Sequence, residues 1–345
     1  TRVNVWSGVH FHYRVRNVLA RLPGRRSEAL LINPHYDSPV EANGGADNGI
    51  GTAAALEAMR ALAASPQLEW TVVLNLNGGE EAGSGGAAGF LQHRFAKDVR
   101  AFIDTDGSCG GKANLMAASA NVPALLRAYA RAVPSPQATI FGNDFIQSGL
   151  TQASGDFEPL ARAGLPGMAF AADKDIWAVH THLDTSSRLQ PGTLQDLGST
   201  ILAVSRELAR GGATLTPEPE RTVYYDLLSQ TTLVYSMAVA RGLSLGAIVL
   251  SLVVLILLRR AGQLRSRALL SGVGWTLLSA LAGLLCALFA AALVALLLQR
   301  PHGFYATPYL VVPSYVFAGL CGVLALHSTW QRRALARGQR ADELA

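Results

Sequence analysis

The sequence predicts an α/β fold, a mostly parallel central sheet flanked by helices, followed by a transmembrane helical region. Short apolar runs end repeatedly in turns that hold His, Asp or Glu, at His35-Tyr36-Asp37, at Glu80-Glu81 and at Asp104-Thr105-Asp106, with helix-like stretches between them. Open α/β sheets carry their sites outside the carboxyl ends of the strands, so these exits are where chemistry is expected. Beyond about residue 230 the charges thin out and long Leu, Ala and Val runs begin, the pattern of membrane spans.

Taken in order, residues 13–22 alternate, residues 23–26 (Pro-Gly-Arg-Arg) turn, and residues 29–33 form a short buried run, two strands that end at Pro34-His35-Tyr36-Asp37. His35 and Asp37 are two apart on an extended exit and point to the same side. The Gly- and Asn-rich loop 39–48 contains Gly44-Gly45-Ala46-Asp47-Asn48, and residues 51–63 are a helix by propensity, with small side chains that permit close approach to a sheet. Residues 70–76 are a strand that delivers Gly78-Gly79-Glu80-Glu81, an arrangement poor for a core and suited to aiming carboxylates at a cation. Helices are expected from Gly86 and over 122–132, strands at 99–103 and 164–170, polar loops over most of 113–155, and a closing amphipathic helix at 193–209.

Three apolar segments follow, at about 233–258, 269–298 and 309–327. Arg259, Arg260, Arg265 and Arg267 fill the first loop and Arg332, Arg333, Arg337 and Arg340 the tail, whereas the loop 299–308 holds Arg300 alone. By the positive-inside rule the Arg-rich parts are cytoplasmic and the N-terminal part is extracytoplasmic. The net charge of +5 belongs to this orientation signal, and no basic patch interleaved with aromatics suggests a nucleic-acid partner. Three cysteines, two of them in apolar runs, imply no disulfide framework. The first residues show neither an initiator Met nor an apolar leader, so a start upstream is expected.

His35, Asp47, Glu81, Asp106 and His180 sit at the ends of consecutive elements. Imidazoles with carboxylates suit zinc, and more carboxylates than one ion needs point to a pair of ions. Glu81 is then a ligand and Glu80 a base beside it. Asp104 and Asp106 both follow a strand, and on residues alone either could be the remaining carboxylate ligand.

Four motifs in one order, His35-Tyr-Asp37-Ser, Gly45-Ala-Asp47-Asn-Gly, Gly79-Glu80-Glu81-Ala-Gly and His180-Thr-His-Leu-Asp184-Thr, resemble the di-zinc aminopeptidases of the aminopeptidase S/Y type. They are most similar to the membrane-bound branch, the endoplasmic reticulum metallopeptidase and vacuolar membrane protease group. The resemblance implies two Zn2+ ions bridged by Asp47, with Glu81 and His180 completing one and His35 and Asp106 the other. It implies Glu80 as the general base for a metal-activated water, and Asp37 as the partner of the far nitrogen of His35, with Asp184 in comparable work near His180. Matching the family's triplet at the third exit favours Asp106 over Asp104. Asn48 departs from the acid common at its position, which puts the orientation of the neighbouring ligand in doubt. Ser154 to Phe157 resembles a family loop near the metal site and reads by itself as the N-cap of a helix toward Arg162. His182 is expected at the surface or behind the ligands rather than among them.

The implied organisation is a zinc peptidase domain over 1–210, a Pro-containing linker over 211–232, a transmembrane region over 233–330 and an Arg-rich tail over 331–345. The implied partners are peptide substrates and the lipid bilayer; the implied activity is that of a membrane-anchored exopeptidase, an aminopeptidase by its motifs. Two other readings stand beside it, an inactive peptidase-like receptor or scaffold and a single-zinc glutaminyl cyclase-like enzyme. The complete donor set argues against the first, and the presence of both His35 and Asp47 against the second.

Overall fold

The computed structural model describes residues 2–6, 9–138, 155–262, 266–298 and 308–336, and divides into two compact units, Thr1–Arg241 and Gly242–Ala345. Most of loop 141–154, including Ser154, and the end of the tail, including Arg337 and Arg340, lie outside the described residues.

The first unit is built on a seven-stranded mixed sheet, preceded by a hairpin of β1 (Arg2–Trp6) and β2 (Val9–Tyr13). Its strands are β3 (Val18–Leu22), β4 (Arg26–Pro34), β5 (Trp70–Leu76), β6 (Val99–Asp106), β7 (Gly110–Ala118), β8 (Gln137–Ala138) and β9 (Gly167–Lys174), in the order β3-β5-β4-β6-β9-β7-β8. The central pairs β5/β4, β4/β6 and β6/β9 are parallel, and β3/β5 and β7/β9 are antiparallel. β4 leads to β5 on one side and the chain then crosses to β6 on the other, so the strand order reverses at the β4 exit, where such sheets open a crevice.

Both faces of the sheet are covered, which is why its central strands read as continuous apolar runs. Leu30, Ile32, Val72, Leu74, Ala101 and Ile103 face a core shared with α1 (Gly49–Ala63), α3 (Pro123–Ala132) and α5 (Thr193–Ala209). The residues of opposite parity, Ala29, Leu31, Val73 and Phe102, face α2 (Gly85–Phe90) and α4 (Phe157–Arg162) through Ala87, Phe90, Phe157 and Leu160. α1 starts where the Asn48 side chain accepts from Gly51 N, and its Ala54, Ala55 and Ala58 are buried in the core it shares with the sheet and α5.

Two parts differ from the sequence expectation. Residues 110–118, expected in loops, form β7, a strand whose partner β9 lies some fifty residues onward. Residues 222–236, overlapping the expected linker, form a hairpin of β10 (Thr222–Leu227) and β11 (Thr231–Ser236), with Tyr224 buried in the larger core.

Beyond β11 come three helices, α6 (Met237–Arg260), α7 (Ser266–Leu298) and α8 (Pro308–Ala336). Among the described residues, Met237–Arg260 and Leu270–Leu296 are long and apolar enough to cross a membrane. α7 and α8 pack closely where Gly283 meets Gly319: a Cβ on Gly283 would lie 3.1 Å from the Gly319 carbonyl oxygen.

Candidate metal centre

The site grows out of one face of the sheet. On that face Leu31 is followed by Asn33 and His35, Val73 by Asn75 and Asn77, and Phe102 by Asp104 and Asp106, each two residues further on. The column thus changes from apolar, to amide or acid, to candidate ligand as the strands end. His35 is 3% exposed; its backbone bridges to Asn77, and its carbonyl accepts from Thr52 Oγ1 of α1 at 2.9 Å.

The five expected donors converge. His35 Nε2 lies 3.2 Å from Asp47 Oδ1, and His180 Nε2 lies 3.0 Å from Asp47 Oδ2, so the Asp47 carboxylate stands between two imidazoles with one oxygen toward each. Glu81 Oε2 is 3.3 Å from His180 Nε2, and Asp106 Oδ1 is 3.6 Å from His35 Nε2. Donor atoms of His35, Asp47 and Glu81 all fall within 4.8 Å of one another.

Three atoms of this cluster, His35 Nε2, Asp47 Oδ1 and Glu81 Oε1, are buried without a hydrogen-bond partner. Buried polar atoms are ordinarily satisfied, and an unpaired imidazole nitrogen facing carboxylate oxygens is the donor set a zinc ion takes. The residues present therefore fit the metal that the sequence implies.

Crowding of these groups moves their proton affinities. Burial pushes the Glu80 carboxyl up to about 8, with His35 opposing and Asp156, Asp106 and Glu81 adding to the rise. Burial and the Asp47 charge raise Glu81 to about 7. The hydrogen bond to Asp47 raises His180 to about 9. Burial works against the charged form of His35, but the carboxylates of Asp106, Asp37 and Asp47 outweigh it and raise that imidazole well above its ordinary value. Burial likewise works against the Asp47 charge, and His180 and His35 outweigh it and hold that carboxyl low. A cation entering the cluster displaces these protons.

The expected supporting residues are placed differently from the sequence reading. Asp37 holds the far nitrogen of His35 through its main chain: His35 Nδ1 is 3.1 Å from the Asp37 carbonyl oxygen and 3.7 Å from Oδ1. The Asp37 carboxylate also accepts from the amides of Glu80 and Glu81, at 3.2 and 3.4 Å, and so fixes the Glu-Glu turn. Asp184 is fully buried; its two oxygens accept from Ala46 N at 2.6 Å and Asp47 N at 3.1 Å, which orients the loop carrying Asp47 rather than His180. Asn48 does not loosen its neighbour: it is buried, accepts from Gly51 N, and donates to the Thr105 carbonyl at 2.5 Å, tying the loop to β6.

Asp104 accepts from Asn33 Nδ2 at 3.3 Å and faces the layer beneath the donors, while Asp106 turns toward His35 and also accepts from Gly107 N at 2.7 Å. Asp156 occupies the N-cap position of α4 but makes no capping hydrogen bond; its side chain turns inward to Asn33 and Asn77. Gly155 packs on the expected base, since a Cβ there would lie 3.3 Å from Glu80 Oε1. His182 is exposed, and Trp177 carries the Arg188 guanidinium over its ring at 4.2 Å.

The sequence reading missed the layer of Asn33, Asn75 and Asn77, in which Asn33 donates to Asp104 and Asp156, Asn77 to Asp156, and Asn75 to the Asn33 oxygen. The signal was available in the parity of the strands: an Asn two positions before His35 and another two before Asn77 break the apolar column just under the exits.

Residues 17–205 match the sequence model of peptidase family M28. Endoplasmic reticulum metallopeptidase 1 of Mus musculus is 29% identical over 339 residues, covering 93% of this chain and 37% of the relative. The vacuolar membrane protease of Laccaria bicolor is 28% identical over 244 residues, covering 66% of this chain and 23% of the relative. The chain thus spans about a third or less of the length of these relatives. Among solved structures, a zinc aminopeptidase from Bacillus subtilis aligns with a TM-score of 0.44 and 19% identity, covering 56% of this chain and 50% of the other.

Proposed function

The chain belongs to peptidase family M28, and from that premise we propose that it is a membrane-anchored, di-zinc exopeptidase of the aminopeptidase kind. The observation that carries the proposal is the Asp47 carboxylate standing between His35 and His180, at 3.2 and 3.0 Å, with unpaired donor atoms around it. In this reading Asp47 would serve both ions, with Glu81 and His180 holding one and His35 and Asp106 the other. When bound, zinc supplies Lewis acidity toward the scissile carbonyl and makes water acidic enough to attack near neutral pH.

The chain's own residues do the rest. Glu80, on a turn fixed by Asp37 and pressed by Gly155, takes the proton from the attacking water and returns it to the departing amine. Its burial raises the carboxyl's affinity for a proton, the direction a proton acceptor in this place needs. The Asp37 carbonyl keeps Nε2 of His35 free to coordinate by accepting from Nδ1–H. Asp184 holds the amide of the bridging residue itself.

The purified full chain is expected to release N-terminal residues from unblocked peptides, to lose that activity to a chelator, and to regain it with zinc. Equal cleavage of N-acetylated peptides would remove the aminopeptidase assignment, and activity indifferent to the chelator would remove the metal. Arg259 and Arg260 at the end of α6 support an extracytoplasmic peptidase unit. Protease added outside spheroplasts or right-side-out vesicles should reach that unit, and full protection there would reverse the orientation.

A further inference from the structure

Beneath the donors lies a buried carboxylate that the proposed reaction does not use. Asp156 is 2% exposed. Its Oδ2 accepts from Asn77 Nδ2 at 2.6 Å and from Asn33 Nδ2 at 3.1 Å, and among the described residues its Oδ1 has no hydrogen-bond partner. Asn33 also donates to Asp104, so a second buried acid shares the same amide.

Neither hydrogen bonding nor capping accounts for a charge here. A single carbonyl oxygen would accept from both asparagines, and the side chain makes no bond to the amides of α4. Among the described residues no Lys or Arg pairs with it. Burial raises its carboxyl to about 6, with the His35 charge and the two amides opposing, and so does not favour the anion here. A buried like-charged pair is tolerable when a cation sits nearby, and the residues that hold Asp156 lead straight to the donors. Asn33 is two residues before His35 on β4, and Asn77 is bridged to His35 and precedes the Glu80-Glu81 turn.

We propose that Asp156 is a counter-charge to the zinc centre, an anion one layer below the ligands that tightens metal binding without coordinating, and whose own burial is favourable only when the metal is present. The inference rests on the di-zinc reading above. It differs from a structural role in sign: the carboxylate destabilises the metal-free fold and stabilises the metal-bound one.

The test uses the detergent-solubilised full chain, with zinc affinity measured by competition against a chromophoric chelator and melting measured after zinc removal. Asp156→Asn keeps an acceptor for both asparagines and removes the charge. It should weaken zinc affinity by about tenfold, the lower end of what partners behind the ligands usually contribute, and raise the melting temperature of the zinc-free protein. Asp156→Ala, which removes the acceptor as well, should weaken zinc at least as much and lower that melting temperature. A zinc affinity of the Asn variant within about twofold of wild type overturns the inference. So does a zinc-free Asn variant that melts below wild type. If wild type binds zinc yet cleaves no peptide, the peptidase reading fails while the affinity comparison still decides this one; a wild type that binds no zinc overturns both.

Discussion

Removing the Asp184 carboxylate tests how Asp47 is held. Asp184→Ala deletes the acceptor for Ala46 N and Asp47 N, at 2.6 and 3.1 Å, in a place with 0% exposure at Asp184. Hydrogen bonds to a charged group contribute about 1.5–3 kcal/mol each, so the pair amounts to about 3–6 kcal/mol if neither amide finds water. That is a large share of the roughly 5–15 kcal/mol that holds a domain folded. At about 2–4 °C per kcal/mol for a unit of this size, the melting temperature should fall by about 6 °C or more. Tryptophan fluorescence during a thermal ramp reads this, and a zinc competition titration should show weaker binding, because the loop presenting Asp47 is no longer fixed. A variant that melts within about 2 °C of wild type and binds zinc equally well would refute the assignment.

Other outcomes follow from the same geometry. Asp106→Asn should reduce bound zinc from about two ions per chain toward about one, whereas Asp104→Asn should leave the metal count unchanged; metal analysis of both proteins decides between the acids. The pH dependence of the zinc-free protein has a defined sign. Glu81 and Glu80 have folded values raised to about 7 and about 8 from 4.5, so their ionisation costs stability progressively above pH 4.5. His180, raised to about 9 from 6.5, contributes stability that is full below pH 6.5 and lost as pH rises through 9. All three act alike, so the zinc-free melting temperature should fall between pH 6 and pH 9, and the increase on adding zinc should grow over that range. A flat or rising zinc-free profile would contradict the charge arrangement.

Much of the fold was legible because its central strands are buried on both faces. Residues 29–33, 70–76 and 99–103 could hardly be anything else, and their exits marked the donors. What sequence did not show depends on pairings distant along the chain. β7, beginning Gly110-Gly111-Lys112, gains strand character from β9, and Asp184 meets Ala46 and Asp47 from 138 and 137 residues away. Motif likeness put Asp37 beside His35 through its side chain; in the fold the main-chain carbonyl is the nearer atom to Nδ1, and the carboxylate also accepts from Glu80 and Glu81. The Asn33, Asn75 and Asn77 layer was visible in alternation alone, but single amides in apolar strands read as noise until the structure joins them to Asp104 and Asp156.

The central claim is that Glu80 is a base made useful by metal held at Asp47, and Glu80→Gln tests it most directly. The substitution keeps the shape of the side chain and removes its ability to accept a proton. Bound zinc should stay at the wild-type level while kcat falls by about 10²–10⁴-fold, the range that general-base catalysis ordinarily supplies. A variant that binds zinc normally and still hydrolyses peptides at close to the wild-type rate would contradict the account.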